Sequence, residues 1–106
     1  MTKDIRVVFI SLPRDEARNL AKRLVEQRLA ACVNIIPKIE SYFWWDSKVE
    51  HDEEALLIVK TTVQKFVAMR LWVQENHPYD VPEIIALPIS EGLSEYMDWV
   101  KKETEG

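Results

Sequence analysis

The chain has 106 residues, of which 47% are hydrophobic and 30% are charged, so we expect one globular domain over residues 1–106 rather than a disordered chain. Its net charge of −4 disfavours nucleic acid as a partner, and two glycines are too few for glycine-rich loops that bind nucleotide phosphates. A single cysteine cannot form an internal disulfide, and we find no signal peptide or membrane span, so we expect a cytoplasmic protein without a membrane partner.

The first two predicted elements are a buried strand and an amphipathic helix. Residues Ile5–Ile10 form a nearly continuous apolar, β-branched run, which is typical of a central strand buried on both faces. Pro13 suits the first turn of a helix, which we expect to end near Leu29. The apolar residues at helical spacing are Ala17, Leu20, Ala21, Leu24 and Val25.

A long β-hairpin is predicted next. Its first strand begins with Cys32–Ile36, and Pro37 then implies an edge, a bend or a bulge. An aromatic run, Tyr42–Trp45, leads into a turn at Asp46–Lys48. The return strand is expected over Val49–Thr61, and the two strands together are longer than a small sheet needs.

The last third of the chain predicts a helix, a strand and a final short helix. Thr62 can cap the helix and Pro78 cannot continue it. A strand is expected over Glu83–Ile89, and apolar positions from Leu93 to Val100 indicate the final helix. The apolar residues expected along one broad side of the longer helix are Val63, Phe66, Val67, Leu71 and Val73.

This order of elements, β-α-β-β-α-β followed by a helix, predicts an α+β fold of the ferredoxin-like type. In that fold two helices lie on one face of an antiparallel sheet, and here an extra C-terminal helix is added. The fold by itself does not define a function.

Three stretches give the chain a specific resemblance to a known family. They are "RLAACVNIIP" at Arg28–Pro37, "YFWWDSKVEHDEEALLIVKTT" at Tyr42–Thr62 and "HPYDVPEIIALPI" at His77–Ile89. In these motifs and in their order the chain resembles the CutA family of divalent-cation tolerance proteins. The hairpin turn departs from the family pattern, because Asp46-Ser47-Lys48 stands where Glu-Gly-Lys is usual.

The resemblance implies a tight homotrimer, similar in architecture to the PII signalling proteins. It implies a role in metal-ion tolerance rather than an enzymatic activity, with copper or another divalent cation bound and no organic cofactor. Trp44 and Trp45 support the trimer independently, because adjacent strand residues point to opposite faces and a monomer's core covers only one of them. We therefore predict that both tryptophans lie at the trimer interface.

Cys32 and His77 are the candidate metal ligands. A cysteine thiolate prefers Cu(I) or Zn(II), and the resemblance places Cys32 in a motif where a cysteine is common. A free cysteine at the start of an apolar strand is more often a small buried core residue. One cysteine per subunit supplies one sulfur, so a metal site needs ligands from other subunits or other residue types.

The resemblance also implies that Lys60, Tyr79 and Glu83 line a cleft between subunits. A Lys60–Glu83 ion pair that holds the trimer together is the alternative to a ligand-binding role. Two competing functions stay open: a PII-like signalling trimer that binds a small ligand in the cleft, and an enzyme that acts there. An RNA-recognition module shares the order of elements but is disfavoured by the acidic chain.

Overall fold

The structure, a computed structural model, describes residues 2–106. Its four strands are β1 (Ile5–Leu12), β2 (Cys32–Trp45), β3 (Lys48–Thr62) and β4 (Ile84–Pro88). Its three α-helices are α1 (Ala17–Glu26), α2 (Val63–Asn76) and α3 (Ser94–Thr104). The strands form one antiparallel sheet in the order β2-β3-β1-β4, which confirms the predicted ferredoxin-like fold with an added C-terminal helix.

Helices α1 and α2 pack on one side of this sheet, which we call the covered face. Alternate residues of β1 and β3, such as Val8 and Leu57, point to this side and are fully buried. They pack with Leu20 and Leu24 of α1 and with Met69 of α2. The main hydrophobic core is therefore the layer between these two helices and the sheet.

The opposite side of the sheet, which we call the open face, is covered only at one end. There, Met97 and Val100 of α3 pack with Ile5 and Ala31 in a second apolar cluster. The prediction that β1 is buried on both faces is wrong within a single chain, because its residues on the open face are covered only near α3. The half-buried or exposed apolar residues of the open face are Val7, Phe9, Ile36, Leu56, Ile58, Ile85 and Leu87.

The apolar residues of α2 do not share one side, contrary to the prediction. Met69 and Val73 are buried against the sheet, whereas Val63, Val67 and Leu71 are 40%, 55% and 51% exposed. The exposed residues are spaced four apart and therefore form one stripe on the outer surface of the helix. Thr62 caps α2 as predicted, since its hydroxyl accepts a hydrogen bond from the Lys65 amide.

Helix α1 is shorter than predicted at both ends. Pro13 precedes a single 3-10 turn, Arg14–Glu16, before the α-helix begins. At the other end Arg28 adopts a left-handed conformation with φ of 58°, and the Leu29 amide bonds the Leu24 carbonyl. Such a closing turn satisfies the last helical carbonyls and ends the helix before Leu29.

The β2–β3 hairpin contains the bulge that Pro37 predicts, since the strand register shifts between Ile36 and Ile39. Its turn residues Asp46 and Ser47 both have positive φ, at 52° and 64°. We call the segment from Ile39 to Glu54, which are register partners, the hairpin arm. Its aromatic side chains are largely exposed, with fractions of 75% for Trp44 and 64% for Trp45.

Candidate functional site

Two groups of polar side chains lie at opposite ends of the open face. We call the first the thiol cluster, and it consists of Cys32, Asn34, Lys60 and Tyr96. We call the second the carboxyl cluster, and it consists of Ser11, Glu54, His77, Tyr79 and Glu83.

Strand register builds the thiol cluster. Cys32 of β2 is the direct cross-strand partner of Lys60 of β3, which in turn faces Val7 of β1. Asn34 lies two residues beyond Cys32 and therefore on the same face of the sheet. Tyr96 enters from the first turn of α3, the helix that covers this end of the open face.

Asn34 connects the groups of the thiol cluster. Its Oδ1 atom accepts a hydrogen bond from the Lys60 ammonium and lies 3.9 Å from the Cys32 sulfur. Burial, together with the adjacent Cys32, raises the pKa of Tyr96 above its ordinary value. Within residues 2–106, Lys60 has no carboxylate partner, so its positive charge is balanced only by the Asn34 dipole.

The carboxyl cluster is a continuous hydrogen-bond network at the far end of β1. The Tyr79 hydroxyl donates to Glu54 Oε2 at 2.8 Å, and the Ser11 hydroxyl donates to Glu83 Oε1 at 3.1 Å. Glu54 is only 6% exposed, so this tyrosine is an essential partner for a buried carboxylate. Burial, then the hydrogen bond to Glu54, and then the charges of Glu54 and Asp52 raise the pKa of Tyr79 to about 12.

His77 has a structural role in this network. Its Nδ1 atom accepts a hydrogen bond from the Tyr79 amide at 3.1 Å, so Nε2 carries the proton and donates to the Ser11 carbonyl at 2.8 Å. Both ring nitrogens are therefore occupied, and the residue is 8% exposed. A metal ion would have to displace one of these bonds, so the geometry gives no support to His77 as a ligand.

The predicted cleft residues divide between the two clusters. Tyr79 and Glu83 belong to the carboxyl cluster, whereas Lys60 faces Val7, four residues from Ser11 along β1. Four residues of strand span about 13 Å, so Lys60 and Glu83 form no ion pair within one chain. A cleft lined by all three requires Lys60 from one subunit and the other two from the next, and this stays a prediction.

Asn34, Tyr96 and Glu54 were not predicted as site residues. Period-two alternation from Cys32 is sufficient to place Asn34 on the same face. The approach of Tyr96 depends on how α3 docks, and the burial of Glu54 depends on the folding of the segment after α2, so no local pattern indicates either of them.

Among residues 2–106, no group of three or more His, Cys, Asp or Glu side chains is arranged to hold a metal ion. Across the same range, no helix has the length and apolar character needed to span a membrane.

The chain thus has an α+β structure with a ferredoxin-like sheet and a long hairpin arm. Its polar clusters lie on the sheet face that only α3 covers, and only at one end. A family described as CutA1 divalent ion tolerance protein matches residues 6–103. The chain therefore belongs to the CutA1 family.

Individual relatives agree with this assignment. The chain is 52% identical over 99 residues to the divalent-cation tolerance protein CutA of Thermus thermophilus, covering 92% of this chain and 96% of the relative. It is 48% identical over 99 residues to the chloroplastic protein CutA 1 of Oryza sativa, covering 92% of this chain but 56% of that longer protein.

Solved structures show the same fold. The crystal structure of CutA1 from Oryza sativa superposes with a TM-score of 0.94 at 45% identity, covering 98% of this chain and 96% of that chain. A structure named the periplasmic divalent cation tolerance protein CutA from Archaeoglobus fulgidus has a TM-score of 0.92 at 44% identity, covering 95% and 99%.

Proposed function

We propose that this chain is a non-enzymatic, homotrimeric divalent-cation tolerance protein of the cytoplasm that binds copper or another divalent cation through Cys32. The observation that carries the proposal is the position of Cys32. Its thiol is half-buried on the open face, where it can meet a neighbouring subunit, rather than in the core between the sheet and α1 and α2. Thiolate sulfur is the preferred ligand of soft cations such as Cu(I).

The trimer is supported by apolar surface that a single chain leaves uncovered. The open face exposes 52% of Ile85 and 42% of Leu87, and the hairpin arm exposes Trp44 and Trp45 more strongly still. Contiguous apolar surface of this kind marks a protein interface. Burial of the open face and of both tryptophans between subunits would remove it.

The sheet edges support the same assembly. The two edge strands are β2, with 14 residues, and β4, with five, and unpaired strand edges are sites for pairing with another chain. Pairing β2 of one subunit with β4 of the next is a head-to-tail contact, which generates a closed ring when the rotation between subunits fits. In a three-membered ring each β4 edge would be paired along its length, together with a matching part of the longer β2 edge.

Calorimetric titration with Cu(II) and Zn(II), and with Cu(I) under reducing conditions, tests the metal proposal. We expect binding at least as tight as about micromolar to the wild-type protein and its loss in Cys32→Ser, because the thiolate supplies the soft ligand. Cys32→Ser is nearly isosteric, and His77→Gln serves as a comparison that alters the other candidate ligand. Unchanged affinity in Cys32→Ser would overturn the assignment of Cys32.

Light scattering tests the assembly separately. We expect a mass three times that of the 12.5 kDa chain. A mass equal to one chain at micromolar concentration would refute the trimer, whatever the calorimetry gives.

A second candidate function is a PII-like trimer that binds a small ligand in the intersubunit cleft. The observation that favours it is the Lys60 ammonium beside Cys32, because a fixed positive charge opposes a bound cation and attracts an anion. In this arrangement Lys60 of one subunit would lie opposite Tyr79 and Glu83 of the next. Nothing among the described residues favours an enzyme at this position.

A further inference from the structure

The thiol cluster contains hydrogen-bond donors and no acidic side chain other than the thiol and phenol themselves. The Lys60 ammonium has three donors, of which the structure assigns one to Asn34 Oδ1. Tyr96 and Cys32 each add a donor when protonated, and the Asn34 amide adds more. This composition contrasts with a chain that has 18 acidic and 14 basic residues.

The thiol cluster lies where the open face of the sheet meets α3. Cys32, Asn34 and Lys60 stand on the open face of the sheet, and Tyr96 stands on α3 beside them. Lys60 lies near the end of β3, and its backbone carbonyl is fixed by a 2.9 Å hydrogen bond from the Ala31 amide. The base of the Lys60 side chain is therefore held in place, while its ammonium reaches the exposed side chain of Asn34.

We propose that the thiol cluster binds the phosphate or carboxylate group of a small anionic ligand, with the Lys60 ammonium as its principal contact. This inference rests on the second candidate function and names the ligand class for it. Tyr96 and Cys32 lie beside this contact. A charged donor such as an ammonium forms a shorter and stronger hydrogen bond to an oxyanion than a neutral donor does.

The carboxylates that could neutralise Lys60 already have partners of their own. Glu83 accepts from Ser11, and Glu54 accepts from Tyr79, both within the same chain. An intersubunit Lys60–Glu83 ion pair is the alternative to anion binding, and it predicts a different result for Lys60→Gln.

The sole cysteine provides a local reporter for ligand binding. Alkylation of Cys32 by iodoacetamide, an uncharged reagent, is followed with and without inorganic phosphate or succinate, with chloride added to equal ionic strength. At a ligand concentration ten times the dissociation constant, we expect alkylation to slow by on the order of tenfold, because protection follows occupancy. Phosphate and succinate distinguish the two sources of the oxyanion.

Lys60→Gln should abolish the protection, and Lys22→Gln should retain it. Lys22 lies on the exposed surface of α1, so this control removes the same charge at a distance from the cluster. The ratio of rates with and without ligand is compared within each variant, so an altered intrinsic reactivity of Cys32 cancels. Protection by either anion that depends on Lys60 supports the proposal.

Absence of protection by both anions, or equal protection in Lys60→Gln, would overturn the proposal. If the ion pair is correct, no anion protects Cys32 and Lys60→Gln instead lowers the thermal stability of the trimer. Light scattering and copper calorimetry on the same samples report the assembly and the metal site independently, so a failure of the anion site is distinguishable from a failure of the proposed function.

Discussion

The two faces of the sheet differ although they are built from neighbouring residues of the same strands. Leu57 and Ile58 are consecutive in β3, and Leu57 is fully buried under the helices whereas Ile58 is only half-buried on the open face. Both are large aliphatic residues, so composition does not distinguish the faces. The chain itself therefore completes the covered face, whereas the open face keeps the kind of exposed apolar surface that is typical of interfaces.

The polar groups follow the same division. The side chains of Cys32 and Lys60 stand on the open face, whereas the layer between the sheet and α1 and α2 is built from apolar residues. In the proposed trimer, the surface that assembles the subunits is therefore also the surface that presents the functional groups.

Ile58→Lys is expected to reduce the measured mass from that of a trimer to that of a single chain. A lysine at this position would place an unpaired charge inside the proposed subunit contact, where desolvation is costly. Light scattering measures the mass. Val67→Lys is the matched control, because it adds the same charge to the exposed outer stripe of α2 and should leave the trimer intact. A trimeric Ile58→Lys protein would contradict the assignment of the open face as an interface.

Leu57→Ala is expected to lower the free energy of unfolding by about 2–5 kcal/mol, because it leaves a cavity in the main core. Urea denaturation followed by circular dichroism, at a fixed protein concentration that keeps every variant trimeric, measures the loss. Val67→Ala should change the same quantity by less than about 0.5 kcal/mol, since Val67 is exposed. Equal losses of unfolding free energy in the two variants would contradict the assignment of Leu57 to the core and of Val67 to the outer surface.

Tyr79→Phe is expected to lower the free energy of unfolding by about 1–3 kcal/mol, because Glu54 would lose its hydrogen-bond donor while remaining buried. Urea denaturation at neutral pH measures this loss. Tyr42→Phe removes the same hydroxyl from a side chain that is 69% exposed and should have little effect. If Tyr79→Phe left the free energy of unfolding unchanged, Glu54 would have another hydrogen-bond donor.

The stabilising effect of Tyr79 should also depend on pH. Its pKa is raised from 10.0 to about 12 in the folded protein, so the unfolded state loses this proton first. The stability that Tyr79 contributes is therefore complete below pH 10 and is lost as the pH rises to about 12. The difference in unfolding free energy between wild type and Tyr79→Phe should therefore decrease over this range. A difference that stays constant would contradict the hydrogen bond from Tyr79 to Glu54.

Ser47→Gly has the smallest expected effect and concerns the turn of the hairpin arm, outside both faces. Ser47 has φ of 64°, a conformation that glycine adopts without strain, so we expect stabilisation by about 1 kcal/mol. Thermal unfolding measures it. Ser41→Gly is the matched control within β2 and should destabilise by about 0.5–1 kcal/mol, because it adds backbone freedom inside a strand. The same sign for both would contradict the turn geometry.

Local patterns predicted the fold well and the assignment of faces less well. The Thr62 cap, the Pro37 bulge and the order of strands each follow from neighbouring residues, and the structure contains all three. The outward position of Val67 in α2 could not be predicted, because an apolar residue at helical spacing does not reveal which side has a partner. The same difficulty explains why β1 was expected to be buried on both faces.

The candidate site was predictable only where sequence distance is short. Cys32 and Lys60 were recognised from their motifs, but their direct pairing depends on a hairpin register that the bulge shifts by one residue. Tyr96 lies 64 positions after Cys32 in the chain, and its approach to Cys32 depends on how α3 packs. Tertiary packing, rather than local propensity, brings these groups together.

The hairpin arm has a consequence for the order of events during folding. Its strands are joined by a two-residue turn, so their pairing closes short loops and can form within microseconds, at a rate independent of concentration. In the proposed trimer, the exposed aromatic side chains of the arm are buried only after encounter with another chain, which is slower and becomes rate-limiting on dilution. Refolding should accordingly show an early phase in strand signal followed by a later, concentration-dependent phase in tryptophan fluorescence.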